Sequence, residues 1–403
     1  MRWDEPKEER LWRAALPAKE THVGPLAGIR IVELGGIGPG PFASMLFSEM
    51  GADVVRIGRR PGAEGIKGFD KRYQLLNRGR RTLAMDLKDP RAVETVKRMI
   101  AQADAVTEGF RPGVAERLGL GPDDCLRLNP KLVYGRITGW GQEGPLAAEP
   151  GHDINYIALT GVLHAIGPKD GPPVPPLNLV GDFGGGAMYL AFGIVCALLE
   201  ARSSGQGQVV DAAMIDGASS LMTMMYGMHA AGLWTDDRGS NRLDSGTPWY
   251  DVYETSDGKW ISVGCNEPQF YEALLERLGA DRSALPADRH DRKGWPAIRA
   301  CFTQKFREKT RDQWCEIMTG CEVCFAPVLS MAEAPQHPHM KARGTFVELD
   351  GVVQPAPAPR FSRTRPEIRH SAGSAGQPAD DVLGDWGFGS AEISELRASG
   401  AVG

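Results

Sequence analysis

Aliphatic runs and stretches of helical periodicity alternate through the first half of the chain. Short runs rich in Val, Ile and Leu, typical of buried strands, cover residues 29–34, 53–57, 82–86, 105–108 and 132–137. Helical patterns follow the first and third of these runs, near Phe42–Met50 and Pro90–Ala101. This order of elements predicts an α/β fold with a doubly wound, parallel, Rossmann-like sheet over roughly the first 210 residues.

The pattern changes in the second half of the chain. Gly181–Arg202 predicts a helix with Asp182 at its N-cap, and its apolar centre is short enough to indicate a buried helix rather than a membrane span. Beyond it, Tyr250–Cys265 predicts a β-hairpin around a Ser-Asp-Gly turn, and helices are expected near Pro268–Leu278 and Arg311–Thr319. A second, smaller α+β domain is therefore expected.

Shifts in composition and Pro/Gly-rich stretches predict where the domains begin and end. We expect a polar N-terminal extension (1–24), a large domain (25–212), linker helices (213–247), a small domain (248–328), and a return linker with a C-terminal segment that rejoins the large domain (329–403).

Composition excludes several classes of protein. The formal net charge of -5 argues against nucleic acid as the main partner, and the N-terminus lacks the apolar core of a signal peptide. Seven scattered cysteines are an odd number and do not suggest a disulfide framework. Cys321 and Cys324 form a CxxC without a second pair, which does not predict a zinc site. We expect a cytoplasmic protein that binds no metal, nucleic acid or membrane.

A glycine-rich loop, Gly35–Pro41, follows the first predicted strand but departs from the dinucleotide fingerprint. Pro41 replaces the third glycine, and no acidic residue follows the second strand to hold a ribose diol. Basic residues stand there instead, and further arginines occupy predicted loops: Arg56, Arg59, Arg60, Arg78, Arg80, Arg81, Arg111 and Arg117. Any one of them is readily explained as a surface residue, but several on loops at strand ends would suit the phosphates of one nucleotide.

Two residues are candidates for acid–base chemistry. Asp182 begins a helix whose first turn holds three glycines, which destabilise a helix and usually indicate close approach of a ligand. Free N–H groups of Asp182 to Gly184 could stabilise an oxyanion there, although a simple capping aspartate explains the same pattern. His152, in the loop PGHDIN, is a possible proton carrier or a structural histidine.

Several segments resemble the CaiB/BaiF family, also called the class III coenzyme A transferases. The resemblance rests on PLAGIRIVELGGIGPGPFASMLFSEMGADVVRI, NRGRRTLAMDLKDP, EGFRPGVAERLGLG and YGRITGWGQEGP, and it extends from about Pro25 to Arg363 and into the C-terminal tail. It implies an acyl-CoA substrate, no cofactor beyond the coenzyme A (CoA) moiety, and an interlocked homodimer. It also implies that CoA contacts Ile37, Arg59, Arg80, Arg111, Arg117 and Gly184.

Three motifs, GHDINY, GDFGGG and NEPQFY, are similar to the α-methylacyl-CoA racemase branch of this family. The resemblance implies an active site of His152, Asp182 and Glu267, with the first two as bases on opposite faces of an enolate and Glu267 orienting His152. A transferase with Asp182 as nucleophile is the alternative, but the glycine-rich loop of transferases is replaced here by VGCNEPQF. A CoA-binding protein without catalysis is a third interpretation, and the sequence leaves the acyl chain open.

Overall fold

The chain folds into two compact units. The computed structural model describes residues 24–58, 70–373 and 377–403. One unit contains the described residues up to Tyr156, together with Asn178–Ala218 and Phe346–Gly403, and the other contains Ile157–Leu177 and Ser219–Thr345. Residues 157–177 and 329–345, assigned from the sequence to the large domain and the return linker, therefore belong to the second unit. The N-terminal extension lies almost wholly outside the described residues.

A six-stranded parallel sheet is the frame of the first unit. Its strands are β1 Arg30–Leu34, β2 Asp53–Gly58, β3 Arg81–Ala84, β4 Ala105–Glu108, β5 Val133–Thr138 and β6 Val209–Ala213. They lie in the order β3-β2-β1-β4-β5-β6, and every neighbouring pair is parallel. The doubly wound fold class is confirmed. Strand order reverses between β1 and β4, which is where such sheets open a crevice at their carboxyl ends.

Helices cover both faces of this sheet. They are α1 Pro39–Glu49, α2 Pro90–Ile100, α3 Val114–Arg117, α4 Pro122–Leu128, α7 Met188–Ser204, α14 Ala379–Asp385 and α15 Ser390–Ala398, with α5 Asp153–Leu159 and α8 Met214–Leu221 running on into the second unit. On one face, α2 and the C-terminal segment bury Met99, Trp386 and Leu383 against the strands. On the other face, α1 and α7 bury Phe47, Leu190 and Ile194. A hairpin of β10 Phe346–Leu349 and β11 Val352–Pro355 completes the unit.

The central helix of this unit begins as a π-helix, Leu179–Ala187, and continues as α7. By length and composition alone, Leu179–Ser204 is apolar enough to cross a membrane, a test that core helices of soluble proteins also pass. Leu190 and Ile194 are fully buried, whereas Phe192 is 70% and Leu199 is 69% exposed. The prediction of a buried helix is therefore right for one side of α7 and wrong for the other.

The second unit is built around the predicted hairpin. β7 Tyr250–Glu254 and β8 Trp260–Gly264 pair antiparallel, and β9 Phe325–Val328, which the sequence did not predict, adds a third strand. Its helices are α6 Val162–Ala165, α9 Thr223–Ala230, α10 Pro268–Leu278, α11 Trp295–Phe306, α12 Arg311–Met318 and α13 Pro338–Arg343. Its separate core includes the fully buried side chains of Trp249, Phe302 and Trp314.

Candidate active site

A cleft of ≈ 540 Å³ opens at the carboxyl ends of β1, β4 and β5. The glycine-rich loop, Gly35–Pro41, forms one side, and Gly109–Pro112, Gly139–Trp140 and Glu149–His152 form further parts of the rim. His152 and Asp182 both line this cleft, although they are far apart in the chain. The fold thus brings together the two acid–base candidates at the edge where open α/β sheets bind ligands.

Asp182 lies inside the π-helix and is half-buried. π-Helices are rare and often occur at functional sites. Gly38, which caps helix α1 with a φ of 69°, approaches the carboxylate so closely that a Cβ there would lie 3.2 Å from Asp182 Oδ2. Phe183 stacks on Phe42 at 4.6 Å and joins the π-helix to α1. The first turn of α1 and the carboxylate are therefore held side by side.

Two residues that the sequence analysis missed bind Asp182 directly. Asn178 Nδ2 donates a hydrogen bond to Asp182 Oδ2 at 3.2 Å. The Asp182 N–H donates to Asp153 Oδ1 at 2.7 Å, and Asp153 is buried. Asn178 precedes Asp182 by four positions, and Asp153 follows His152 directly, so helical spacing and adjacency were the available signals.

The pKa of Asp182 is raised by these surroundings. Burial is the largest cause, and the nearby negative charge of Asp153 raises the pKa further. The hydrogen bond from Asn178 and the proximity of His152 lower it, without reversing the shift. A carboxyl group whose pKa is moved toward neutrality is suited to exist in both protonation states during turnover.

Substitutions at these two neighbours should move the pH profile of Asp182 in opposite directions. Asn178→Ala removes a donor to the ionised carboxylate, so the Asp182 pKa should rise further. Asp153→Asn removes a like charge while the side-chain oxygen can still accept from the Asp182 N–H, so the pKa should fall. The measurement is the pH dependence of kcat/KM for the racemisation that the sequence predicts, in the direction in which Asp182 would remove the proton. Its acidic limb should shift to higher pH in the first variant and lower pH in the second, and shifts of the same sign in both would contradict this assignment.

Two of the three glycines after Asp182 are explained by helix packing. A Cβ at Gly185 would lie 2.6 Å from the Ala218 backbone nitrogen in α8, and one at Gly186 would lie 2.9 Å from Met214 Cγ. The Asp182 N–H is bound to Asp153, and the Phe183 N–H donates to the Asn178 carbonyl oxygen at 3.3 Å. The expectation that these two amides form an oxyanion site is therefore corrected, because both already have acceptors. Gly184 does not line the cleft.

His152 lies just before helix α5, and its side chain is exposed at the cleft. Its backbone N–H donates to Asn155 Oδ1 at 3.1 Å, while its carbonyl oxygen accepts from the N–H groups of Asn155 and Tyr156. All of these bonds are made by backbone atoms of His152. They fix its main chain but do not orient its imidazole. Tyr156 packs edge-on against Trp140 and donates to the Gly151 carbonyl oxygen, which closes the turn that carries His152.

Two of the predicted phosphate-binding arginines have exposed side chains on the turn after β4. Arg111 lines the cleft and lies close enough to Tyr156 to oppose the rise of that residue's pKa, which burial causes. Arg117 folds back toward the same turn, since a Cβ at Gly113 would lie 3.3 Å from its Nη1. Neither arginine forms an ion pair with a carboxylate in the described part of the chain. Ile37 also lines the cleft and is 81% exposed.

The arginines of NRGRR do not face the cleft. Arg80 is buried, forms an ion pair with Glu33 and donates to Asn77 Oδ1 at 2.9 Å. Its assignment as a phosphate ligand is therefore corrected, because its guanidinium is already bonded inside the unit. Arg78 is bound to Glu49 and Gln354, and Arg81 to Asp53 and Asp385, so both tie segments of the first unit together. A run of basic residues in the sequence does not distinguish arginines that form internal ion pairs from arginines that bind phosphate.

The remaining predicted site residues lie elsewhere. Glu267 belongs to the second unit, where it is the exposed N-cap residue of α10, and its pairing with His152 stays a prediction. Arg59 lies outside the described residues. Over the ranges that the structure describes, no three His, Cys, Asp or Glu side chains are grouped as metal ligands, and Cys321 and Cys324 are free thiols.

Comparisons with known proteins match this chain over nearly its whole length. Two relatives named alpha-methylacyl-CoA racemase, from Mus musculus and Homo sapiens, are 43% and 40% identical, and each match covers 93% of this chain and 96% of the relative. A CAIB/BAIF family protein from Brucella suis has a similar structure, with a TM-score of 0.75 and 25% identity over 90% of this chain and 100% of that one. The model of CoA-transferase family III matches residues 26–378. The chain therefore belongs to CoA-transferase family III.

Proposed function

We propose that this protein is a racemase that interconverts the (R) and (S) forms of 2-methylacyl-CoA thioesters. The observation that carries the proposal is the pair His152 and Asp182 in one cleft, where two groups able to gain and lose protons face a common space. The names of the relatives that are 40–43% identical point to the same chemistry. This chain has VGCNEPQF where transferases have a glycine-rich loop, and Glu267 of this stretch would orient or stabilise a protonated His152.

The reaction is a 1,1-proton transfer. One residue of the pair removes the α-hydrogen as a proton, and the C–H electron pair becomes part of an enolate. The other residue, already protonated, delivers its proton to the opposite face of the planar carbon. Each turnover leaves the two residues with exchanged protonation states, which solvent resets. The raised pKa of Asp182 helps here, since this residue must act as acid in one direction and as base in the other.

The enolate oxygen needs donors other than the amides of Asp182 and Phe183. Helix α1 begins at the cleft, and the Gly40 N–H is the donor left in its first turn, because Pro39 and Pro41 have no N–H and the Phe42 N–H donates to the Gly38 carbonyl oxygen at 3.2 Å. Such groups, at the positive ends of helix dipoles, stabilise developing negative charge. We assign the oxyanion to the start of α1, at the Gly40 N–H.

The substrate itself supplies the rest of the chemistry. The thioester makes the α-hydrogen acidic enough for removal once the enolate is stabilised, so no redox group or metal is required beyond the CoA moiety. Met214 lines the cleft and offers a flexible thioether surface to the acyl chain. We further propose a cytoplasmic location, in keeping with the scattered free thiols.

The decisive experiment is incubation of one 2-methylacyl-CoA epimer in deuterated water without an acceptor acid. The racemase should incorporate deuterium at the α-carbon and approach a near-equal mixture from either epimer. A transferase would show neither change, but would exchange acyl groups with a free acid and form an Asp182 adduct trapped by hydroxylamine. That adduct without solvent deuterium would overturn the proposal. Binding of CoA without either reaction would identify a non-catalytic protein.

Arg111→Ala and Arg117→Ala should each raise KM for the CoA thioester more than they lower kcat. A charge-assisted contact to phosphate contributes roughly 1.5–3 kcal/mol to binding. Because both side chains are exposed, we expect a contribution at the lower end of this range, which corresponds to an increase in KM of about tenfold. Arg59→Ala should behave in the same way. Arg127→Ala is the matched control, because Arg127 is an exposed arginine of α4 paired with Asp124. Unchanged KM in the first two variants would remove those arginines from the CoA site.

The protein should be a stable homodimer at micromolar concentration. Met188, Phe192, Val195 and Leu199 are 43–70% exposed and repeat at spacings of four, three and four residues along α7. An exposed row of apolar side chains with this spacing is a surface by which helices associate. Light scattering after gel filtration should give twice the chain mass. Phe192→Asp should lower the mass, whereas Leu128→Asp, at an exposed position at the end of α4, should not. A fully active monomer would contradict the assignment.

A further inference from the structure

Four charged side chains around the turn after β4 divide into two sets. Arg111 and Arg117 have exposed side chains, without a carboxylate partner in the described ranges. Glu108, which is buried, and Glu116, whose side chain is 44% exposed, instead share one buried arginine, Arg136 of β5. The outward pair is the one to which we assigned the phosphates of CoA. The two glutamates therefore tie the segment that carries the outward pair to β5.

Arg136 binds both ends of this turn. Its Nε donates to Glu108 Oε1 at 2.7 Å, and its Nη1 donates to Glu116 Oε1 at 2.7 Å. Glu108 ends β4 and is buried, whereas Glu116 lies in the short helix α3, one position before Arg117. A planar guanidinium can donate to two carboxylates in different directions at once. An ammonium group lacks this fixed fork of donors and would hold the two carboxylates less firmly.

The same network reaches the backbone beside Arg111. Glu108 Oε2 accepts the Phe110 N–H at 2.6 Å, so the carboxylate that Arg136 holds also closes the start of the turn. The Val114 N–H donates to the Arg111 carbonyl oxygen at 3.1 Å, which links Arg111 to α3. Both exposed arginines therefore stand on a segment anchored at its two ends by one buried side chain.

We infer that Arg136 is a positioning residue that holds Arg111 and Arg117 in the geometry that binds the phosphates of the CoA moiety. This inference rests on the proposed function for its ligand, but it concerns affinity and not proton transfer. Pre-ordering the turn removes an entropic cost from binding, since loop and side-chain ordering otherwise opposes the association. Arg136 itself does not line the cleft.

The test measures CoA binding by calorimetry with CoA itself, which requires no turnover. Arg136→Lys keeps the charge but loses the two-directional fork, and we expect a weakening of CoA binding by about fivefold to tenfold with kcat unchanged. Glu116→Gln, at a half-exposed side chain, should give a smaller loss in the same direction and keeps the test valid if Arg136→Lys does not fold. Arg81→Lys is the matched control, because Arg81 is also a mostly buried arginine shared by two carboxylates, Asp53 and Asp385.

A double substitution separates positioning from general destabilisation. If Arg136 acts through the exposed pair, Arg136→Lys should weaken binding far less in a protein that already lacks Arg111 and Arg117 than in the wild type, because interacting sites are not additive. Full additivity, a loss of kcat in place of affinity, or wild-type binding in both Arg136→Lys and Glu116→Gln would overturn the inference. If CoA binds as expected but no α-proton exchange occurs, the racemase proposal fails and this inference stands.

Discussion

Asp182→Asn should abolish inversion of either epimer while one epimer still exchanges its α-hydrogen with solvent. The amide retains the shape of the carboxylate but can neither accept nor deliver the proton, and losing a positioned acid or base costs about 10²–10⁴-fold. His152 can still remove and return a proton on its own face. The epimer whose hydrogen faces His152 should therefore take up deuterium with retention of configuration, and the other should be inert.

The measurement is deuterium incorporation followed separately for each 2-methylacyl-CoA epimer, together with the ratio of epimers. Asp170→Asn is the control for a general effect of losing a carboxylate, because Asp170 is exposed in the second unit. Racemisation by Asp182→Asn at a rate close to that of the wild type would exclude Asp182 as a base. Loss of exchange with both epimers would instead indicate that His152 cannot work without the charge of Asp182.

His152→Ala should give the mirror-image result. Inversion should again be lost by about 10²–10⁴-fold, but the epimer that still exchanges should be the one that was inert in Asp182→Asn. The reason is geometric, since two bases that serve opposite faces of one planar carbon each retain only their own face. His164→Ala is the matched control, because His164 is also exposed but belongs to the second unit. If both variants retained exchange with the same epimer, a two-base mechanism with these residues would be wrong.

Added imidazole offers a further check on the His152→Ala variant. The His152 side chain is exposed at the cleft, so the space that its removal leaves is open to a small base from solution. Inversion should recover partly as imidazole is raised, with a pH dependence that follows the added base. Asp182→Asn should not respond, because its half-buried site is packed against Asn178 and Gly38.

The sequence by itself determined the elements whose causes are local. Strands β1 to β5 and helices α1, α2 and α10 lie within a few residues of the predicted bounds, because a buried strand or helix shows its periodicity in its own residues. Strand β6 was missed, since the first three residues of Val209–Ala213 are partly or fully exposed. Strand β9 was missed for a similar reason, as its residues alternate between half-buried and exposed.

Asp182 and His152 could also be named from the sequence, because their motifs are continuous and each residue stands in a distinctive loop or helix start. Asn178 and Asp153 could not be assigned a role in that way. Both act on Asp182 through hydrogen bonds whose existence depends on how the π-helix and α5 meet. Their positions beside His152 and one helical turn before Asp182 are visible in the sequence, but their hydrogen bonds to Asp182 are not.

Only the tertiary structure decided which arginines are available to a ligand. Arg80 and Arg111 look alike in the sequence, since each occupies a loop near a strand end, yet one is buried against Glu33 and the other is exposed at the cleft. The partner of a buried charge is usually distant in the chain, as Glu33 is from Arg80 and Glu108 is from Arg136. Burying a charge is costly unless it is paired, so pairing in the folded chain, and not the residue type, separates arginines that hold the fold from those that can bind phosphate.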